Sequence, residues 1–231
     1  MLYTKENARA NIRNKDGKRV FYLAEGDLLT SEARDYLNHE RIEIIPACQA
    51  KPDRYRLLNG AELLEKPEHM THLYDNVLVE KTHPRIAFRG AVDHLEAELL
   101  LCIRQVPELR KELTEVLELA RKLIRWEVLN EPAEELRLCG LTEEELRQRS
   151  HFPQKFYGQP HFMPSGEDVL GLLLINHARS AARSAELAAV RAFSDENGNL
   201  QRRDLIKVLN RMSSMLYILM IRLKASTPEK G

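Results

Sequence analysis

The chain has 231 residues, 43% hydrophobic and 30% charged, which is enough apolar surface for a core and enough charge to keep its exterior in water. Lys plus Arg and Asp plus Glu both number 35, so the basic excess that marks a phosphate-tracking nucleic-acid surface is missing, while a local basic pocket for a small phosphate ligand is not excluded. The longest apolar runs, around Val169–Ile175 and Met215–Ile221, fall short of the roughly 20 residues a membrane span needs.

The N-terminal stretch MLYTKENARANIRNK lacks a signal-peptide apolar run. Cys48, Cys102 and Cys139 are widely spaced, with no redox or metal spacing. They read as reduced thiols, so the expected location is the cytoplasm. The first part reads as mixed α/β. Asp16-Gly17 lies between Ile12-Arg13 and Val20–Leu23, a hairpin signal. Thr30 is placed to cap a short helix over Ser31–Asn38. A strand over Ile42–Ile45 should stop at Pro46, and Asn59-Gly60 marks a second hairpin.

From Pro84 the pattern turns to long helices. The first is expected over 84–105, on the apolar line Ile86, Val92, Leu95, Leu99 and Ile103. Pro107 should open the second, which runs to about Leu129. Thr142-Glu143-Glu144-Glu145 is a capping box for a short third helix. Residues 151–165, HFPQKFYGQPHFMPS, read as a structured loop. Ser165–Asp168 should cap the fourth helix, which runs to Phe193; after a turn over Ser194–Asn199 the last runs over 200–224, with a frayed tail at Pro228 and Gly231. The expected fold is mainly α: an up-and-down five-helix bundle over 69–231 with a small N-terminal α/β module over 1–68.

Arg179, Arg183 and Glu186 fall at i, i+4 and i+7 on one helix face. Paired guanidinium groups suit a polyphosphate, and a neighbouring carboxylate suits a hydroxyl or a metal. The plainer alternative is a solvated Arg–Glu ion pair, and spacing alone favours it. Against it, the helix is otherwise rich in leucine and alanine and reads as buried on most sides, where arginines need partners. Asp93 is a candidate to answer one arginine, or an exposed helix position. Asn210, Ser213, Ser214 and Tyr217 form a second polar stripe, which alone would read as a helix–helix contact. Asp195, Asn197 and Asn199 imitate a calcium loop but lack its glycine and closing glutamate. His69 and His72 have no cysteine or carboxylate cluster nearby, so no metal site is expected there.

Three segments together resemble the ATP:corrinoid adenosyltransferases of the ethanolamine- and propanediol-utilisation kind. They are Lys81-Thr82-His83-Pro84-Arg85-Ile86-Ala87-Phe88-Arg89-Gly90-Ala91-Val92-Asp93, then Arg179-Ser180-Ala181-Ala182-Arg183-Ser184-Ala185-Glu186, then Leu209-Asn210-Arg211-Met212-Ser213-Ser214. Each is weak alone; their order and spacing make the set specific. Leu28–Ile45 and Met70-Thr71-His72-Leu73 look like the ethanolamine type, so the resemblance covers most of the chain.

The resemblance implies a homotrimer with active sites between subunits. It implies transfer of the 5′-deoxyadenosyl group from ATP to the cobalt of reduced cobalamin, with Mg as a helper ion. Arg179 and Arg183 would grip the triphosphate, Glu186 would orient the nucleotide, Asp93 would pair with Arg179, and Asn210 would contact ATP. Thr71, His72 and Lys81 would belong to the phosphate-side loop. Phe88, Trp126, Phe152 and Phe162, with Phe156 and Tyr157, are the aromatics for a dry corrinoid pocket. A transient reductase is implied, and docking to a bacterial microcompartment is the open question for the N-terminal module. The chain departs from the propanediol type in lacking its T-x-T-G-D-K-G segment and in carrying Ser214 where Asp is usual. It departs from the metal-binding ethanolamine type in having only Cys48 between Ile45 and Thr71, so no structural metal is expected. Competing readings are a non-catalytic corrinoid carrier or chaperone and a ligand-free trimeric scaffold.

Overall fold

The computed structural model describes residues 2–15, 17–46 and 54–226. Asp16, Cys48 and the tail with Pro228 and Gly231 lie outside the described residues. The chain is mainly helical with several small sheets, and it divides into two compact units. The first comprises Met1–His83 with Arg125–Glu131, and the second Pro84–Ile124 with Pro132–Gly231.

The first unit opens with β1 (Leu2–Tyr3), α1 (Lys5–Ala10), β2 (Ile12–Lys15), β3 (Lys18–Leu23), β4 (Leu28–Leu29), α2 (Ser31–His39) and β5 (Glu43–Pro46). β2 and β3 form the antiparallel hairpin that Asp16-Gly17 signalled, and β5 adds to β3 in parallel. β1 pairs with β4. Thr30 caps α2 by accepting from the Ala33 N–H at 3.2 Å. Ala8, Ile12, Phe21, Ala33, Leu37, Ile42 and Leu129 form the core of this part. A four-stranded sheet follows from β6 (Tyr55–Leu57), β7 (Glu62–Leu63), β8 (Met70–Tyr74) and β9 (Val77–Glu80), in the order β7-β6-β9-β8. Asn59-Gly60 makes the β6–β7 turn, with Gly60 at φ 86°, where a side chain would be strained.

The second unit is built on α3 (Pro84–Gln105), α4 (Arg110–Val128) as far as Ile124, the hairpin β10 (Arg137–Leu138) and β11 (Leu141–Thr142), α5 (Glu143–His151), α6 (Pro153–Tyr157), α7 (Leu170–Phe193) and α8 (Arg203–Ser226). α7 packs against α3 and α8, and α5 and α6 pack against α8. α7 turns a line of small residues inward, Ala178, Ala181, Ala182, Ala185 and Ala189, all buried. Small side chains let helix axes approach closely, which suits a central helix with two neighbours. Cys139 and Gly140 both have positive φ and close the β10–β11 turn. Burial and the nearby Glu115 and Glu112 carboxylates push the Cys139 thiol up to about 12, so it is a poor nucleophile.

Gly171 lies in the first turn of α7. A Cβ there would meet Val106 Cγ2 at 2.9 Å and Leu223 Cδ2 at 3.5 Å. Val106 is buried and branched, so it has little room to yield. Gly171→Ala is therefore expected to destabilise the chain by about 1–2 kcal/mol, the overpacking exceeding the gain in helix propensity. Urea unfolding followed by circular dichroism measures this; an unchanged or higher midpoint would contradict it.

Three expectations need correction. Pro107 opens a single 3-10 turn, Pro107–Leu109, and α4 proper begins at Arg110. The loop over 151–165 contains the short helix α6, started by Pro153 and ended by Gly158 in the left-handed region. α7 starts at Leu170 with Val169 as an N-cap that makes no side-chain bond. Asp168 does not cap it. Its carboxylate accepts instead from the Lys224 ammonium and, at 2.8 Å, from the Ser165 N–H.

Lys224 and these hydrogen bonds hold the Asp168 carboxyl below the usual range. A folded-state pKa that is depressed adds stability above the unfolded-state value, and that stability is lost as pH falls through the folded value. Asp168→Asn should therefore lower the melting temperature at neutral pH. The difference from the parent chain should shrink below about pH 4 as the parent carboxylate protonates. Melting curves between pH 7 and pH 3 test this, and a difference that widens on acidification would refute it.

Candidate active site

α7 is exposed along one side, at His177, Ser180, Arg183, Ser184, Leu187 and Arg191, so it is not buried on most sides. The expected stripe runs along the edge of that face. Arg179 is half-buried, Arg183 exposed and Glu186 half-buried.

Arg179 finds its partners on its own helix and on α8. Its Nε and one terminal nitrogen donate to Asn176 Oδ1 at 3.2 and 3.0 Å. Its guanidinium carbon lies 5.9 Å from the centre of the Tyr217 ring, a cation–π distance. Neither partner carries negative charge. Burial, and then the positive charge of Arg183, push the Arg179 pKa below its ordinary value. Arg183 makes no ion pair among the described residues. Glu186 does not answer either arginine: its Oε1 accepts from Asn210 Nδ2 on α8 at 3.0 Å. The solvated Arg–Glu ion pair is therefore not formed. Two adjacent guanidinium groups without a carboxylate counter-charge among the described residues make a local positive field on a chain of zero net charge. That arrangement is suited to a polyanion.

The Asp93–Arg179 pair is not formed within the chain. Asp93 is exposed on α3, where the buried side of the helix is taken by Phe88, Val92, Leu95 and Leu99. Phe88 faces the core in this structure: it is 0% exposed and meets Phe193 edge to face, ring centres 5.6 Å apart. Trp126, at 4% exposed, is also core in this conformation and belongs to the first unit. Phe152 is 61% exposed. Phe156 carries the Arg149 and Lys155 cations over its ring, at 5.5 and 5.4 Å. Phe162 is half-buried and stacks on Tyr217 at 6.1 Å. Of the aromatics proposed for the corrinoid pocket, Phe162 is the one this structure brings to the Arg179 neighbourhood.

Two residues of the site were absent from the expected set, and a third was read only as part of a helix–helix contact. Asn176 stands one turn before Arg179, a spacing that could have suggested it. Tyr217 belongs to the α8 polar stripe named from the sequence, seven residues after Asn210, but no contact with Arg179 was expected of it. His161 carried no local signal; only the fold brings it to Tyr217, with the Nδ1-to-hydroxyl distance 2.9 Å.

Thr71, His72 and Lys81 lie in the first unit. Thr71 and His72 are on β8, next to a bulge between His72 and Tyr74. The His72 imidazole bonds to the Asp75 carbonyl at 2.9 Å and meets the Tyr55 ring edge. Lys81 follows β9 and pairs with Glu68 at 3.3 Å. Among the described residues, no three His, Cys, Asp or Glu side chains gather as a metal site, and Cys48 lies outside them. No helix among them is long and apolar enough to cross a membrane.

The sequence model of the cobalamin adenosyltransferase family matches residues 64–223. The corrinoid adenosyltransferase EutT of Salmonella typhimurium is 29% identical over 244 residues, covering 95% of this chain and 91% of the relative. EutT of Escherichia coli K12 is 29% identical over 237 residues, covering 92% and 88%. The matched region contains the arginine stripe, Asp93 and Asn210.

Proposed function

The chain belongs to the cobalamin adenosyltransferase family, and from that premise we infer that it transfers the 5′-deoxyadenosyl group of ATP to the cobalt of a reduced corrinoid. The electron pair of reduced cobalt forms the cobalt–carbon bond at C5′. The C5′–oxygen bond breaks, and triphosphate leaves with its electron pair. The substrate brings its own strong nucleophile, so the protein does not have to activate a side chain. Its tasks are to align C5′ with cobalt and to stabilise charge on the leaving triphosphate.

The observation that carries this reading is the pair Arg179 and Arg183 without a carboxylate partner. The Arg183 guanidinium, and the side of the Arg179 guanidinium that Asn176 does not hold, can meet phosphate oxygens. The Glu186–Asn210 bond fixes a polar pair one turn further on, placed to orient the nucleoside. Glu186 Oε2 accepts no hydrogen bond among the described residues, so this carboxylate has the hard oxygen donor that Mg favours. When bound there beside phosphate, Mg would add positive charge against the triphosphate. Thr71, His72 and Lys81 are read as the phosphate-side loop, and Phe152 and Phe162 as part of the corrinoid wall.

The working assembly is read as a homotrimer, with α3, α4, α5, α7 and α8 as an up-and-down five-helix bundle over 69–231 and residues 1–68 as an appended α/β module. Asp93 and Arg179 do not pair with each other within one chain, and Leu100, Leu101 and Leu187 are exposed on α3 and α7. Both features suit burial against a second copy. Sedimentation velocity should give three times the chain mass, and Asp93→Ala should lower both assembly and activity; a fully active monomer would refute the assembly. A transient reductase would supply reduced corrinoid, and docking to a microcompartment would fall to the N-terminal module.

The direct test is a single turnover with ATP, Mg and chemically reduced cobalamin. Adenosylcobalamin and triphosphate should form in equal amounts. Bound adenosylcobalamin without triphosphate production would favour a carrier, and the absence of any ATP-dependent thermal shift would favour a scaffold.

A further inference from the structure

We propose that Tyr217 is a positioning residue for Arg179, held in place by His161, so that ATP binding at the arginine stripe depends on the loop that carries His161. The proposal rests on the assignment of the stripe as the ATP site.

His161 bridges three elements. Its Nε2 lies 3.1 Å from the His151 carbonyl at the end of α5. A carbonyl only accepts, so Nε2 carries the hydrogen. In the neutral ring Nδ1 is then an acceptor, and the Tyr217 hydroxyl donates to it across 2.9 Å. The two rings are nearly parallel, 10° apart, with centres 5.8 Å from each other. Phe162 stacks on the same tyrosine. Tyr217 is thus fixed by the loop, and its ring lies beneath the Arg179 guanidinium at 5.9 Å.

This matters because Arg179 has little else to direct it. The Asn176 amide holds one side of the guanidinium, and no carboxylate among the described residues draws it away. The neighbouring Arg183 repels it. A ring beneath the cation attracts it without neutralising it, which leaves the positive charge available to a phosphate. A carboxylate in the position of Tyr217 would compete with the ligand. The tyrosine can therefore orient the arginine while leaving its charge unspent.

Calorimetric binding of ATP–Mg to the full chain, without corrinoid, tests this. Tyr217→Leu should weaken ATP about tenfold, the effect of losing a partly desolvated cation–π contact. Tyr217→Phe keeps the ring and should weaken it less. His161→Asn, at an exposed position, should cost about threefold by releasing the hydroxyl. In an Arg179→Ala background none of the three should weaken ATP further, because each acts through that arginine. A tyrosine with only a structural role would show its full loss in both backgrounds, and that result overturns the proposal. So does a Tyr217→Phe as damaged as Tyr217→Leu. Should Tyr217→Leu fail to fold, His161→Asn with and without Arg179 decides alone. If the parent chain binds ATP–Mg and Arg179→Ala weakens it, the assignment of the stripe stands whatever Tyr217 does. If the parent does not bind it, both fall.

Discussion

Arg183→Ala should lower adenosyl transfer by at least about a hundredfold, the usual cost of removing one group that stabilises charge in a transition state. The chain should melt close to the parent temperature. Arg183 is exposed and makes no ion pair among the described residues, so the folded state loses almost nothing with it. Its positive charge repels that of Arg179. An exposed arginine that weakens its neighbour has no evident structural purpose, and a triphosphate supplies one. Arg183→Lys should recover part of the rate, since an ammonium keeps the charge and loses the bidentate fork. Stopped-flow detection of cobalt–carbon bond formation, beside a melting curve, separates the two effects. Near-normal turnover in Arg183→Ala would remove the stripe from the active site.

Phe88→Ala should act in the opposite way, on stability and not on the ligand. The side chain is fully buried and packs edge to face on Phe193. Truncating a buried phenylalanine costs about 3–5 kcal/mol, and in a chain of this size that lowers the melting temperature by about 10 °C. Corrinoid affinity, measured where the variant is still folded, should be close to the parent value. A variant that melts normally but loses corrinoid would restore Phe88 to the pocket wall.

These two residues show where the sequence could be read and where it could not. The long helices were legible because Pro84, the Thr142 capping box and the 3.6-residue apolar period each act locally. The stripe was legible for the same reason, as spacing along one helix. The burial of Phe88 was not legible, because a motif places it near the site without saying which side of α3 it occupies. Asp168 reads locally as a cap, yet a lysine 56 residues later takes its carboxylate. His161 reaches Tyr217 over the same separation. No local pattern reports contacts of that length. The charge state of the stripe was also hidden: spacing suggested that Glu186 would neutralise an arginine, and Asn210 claims it instead.

The first unit includes Leu129, which sits in one core with Ala8, Phe21 and Leu37 although it is far from them in the sequence. Compactness and chain order therefore disagree about where one part ends. A truncated version starting at Pro84 would keep Leu129 while discarding the residues that shelter it, and would show a greasy spot to water. A gene shuffled at that seam would inherit the same defect. The N-terminal part and the stretch after Ile124 should thus be inherited together, and changes at Phe21 or Leu37 should be matched at Leu129 before they are matched nearby.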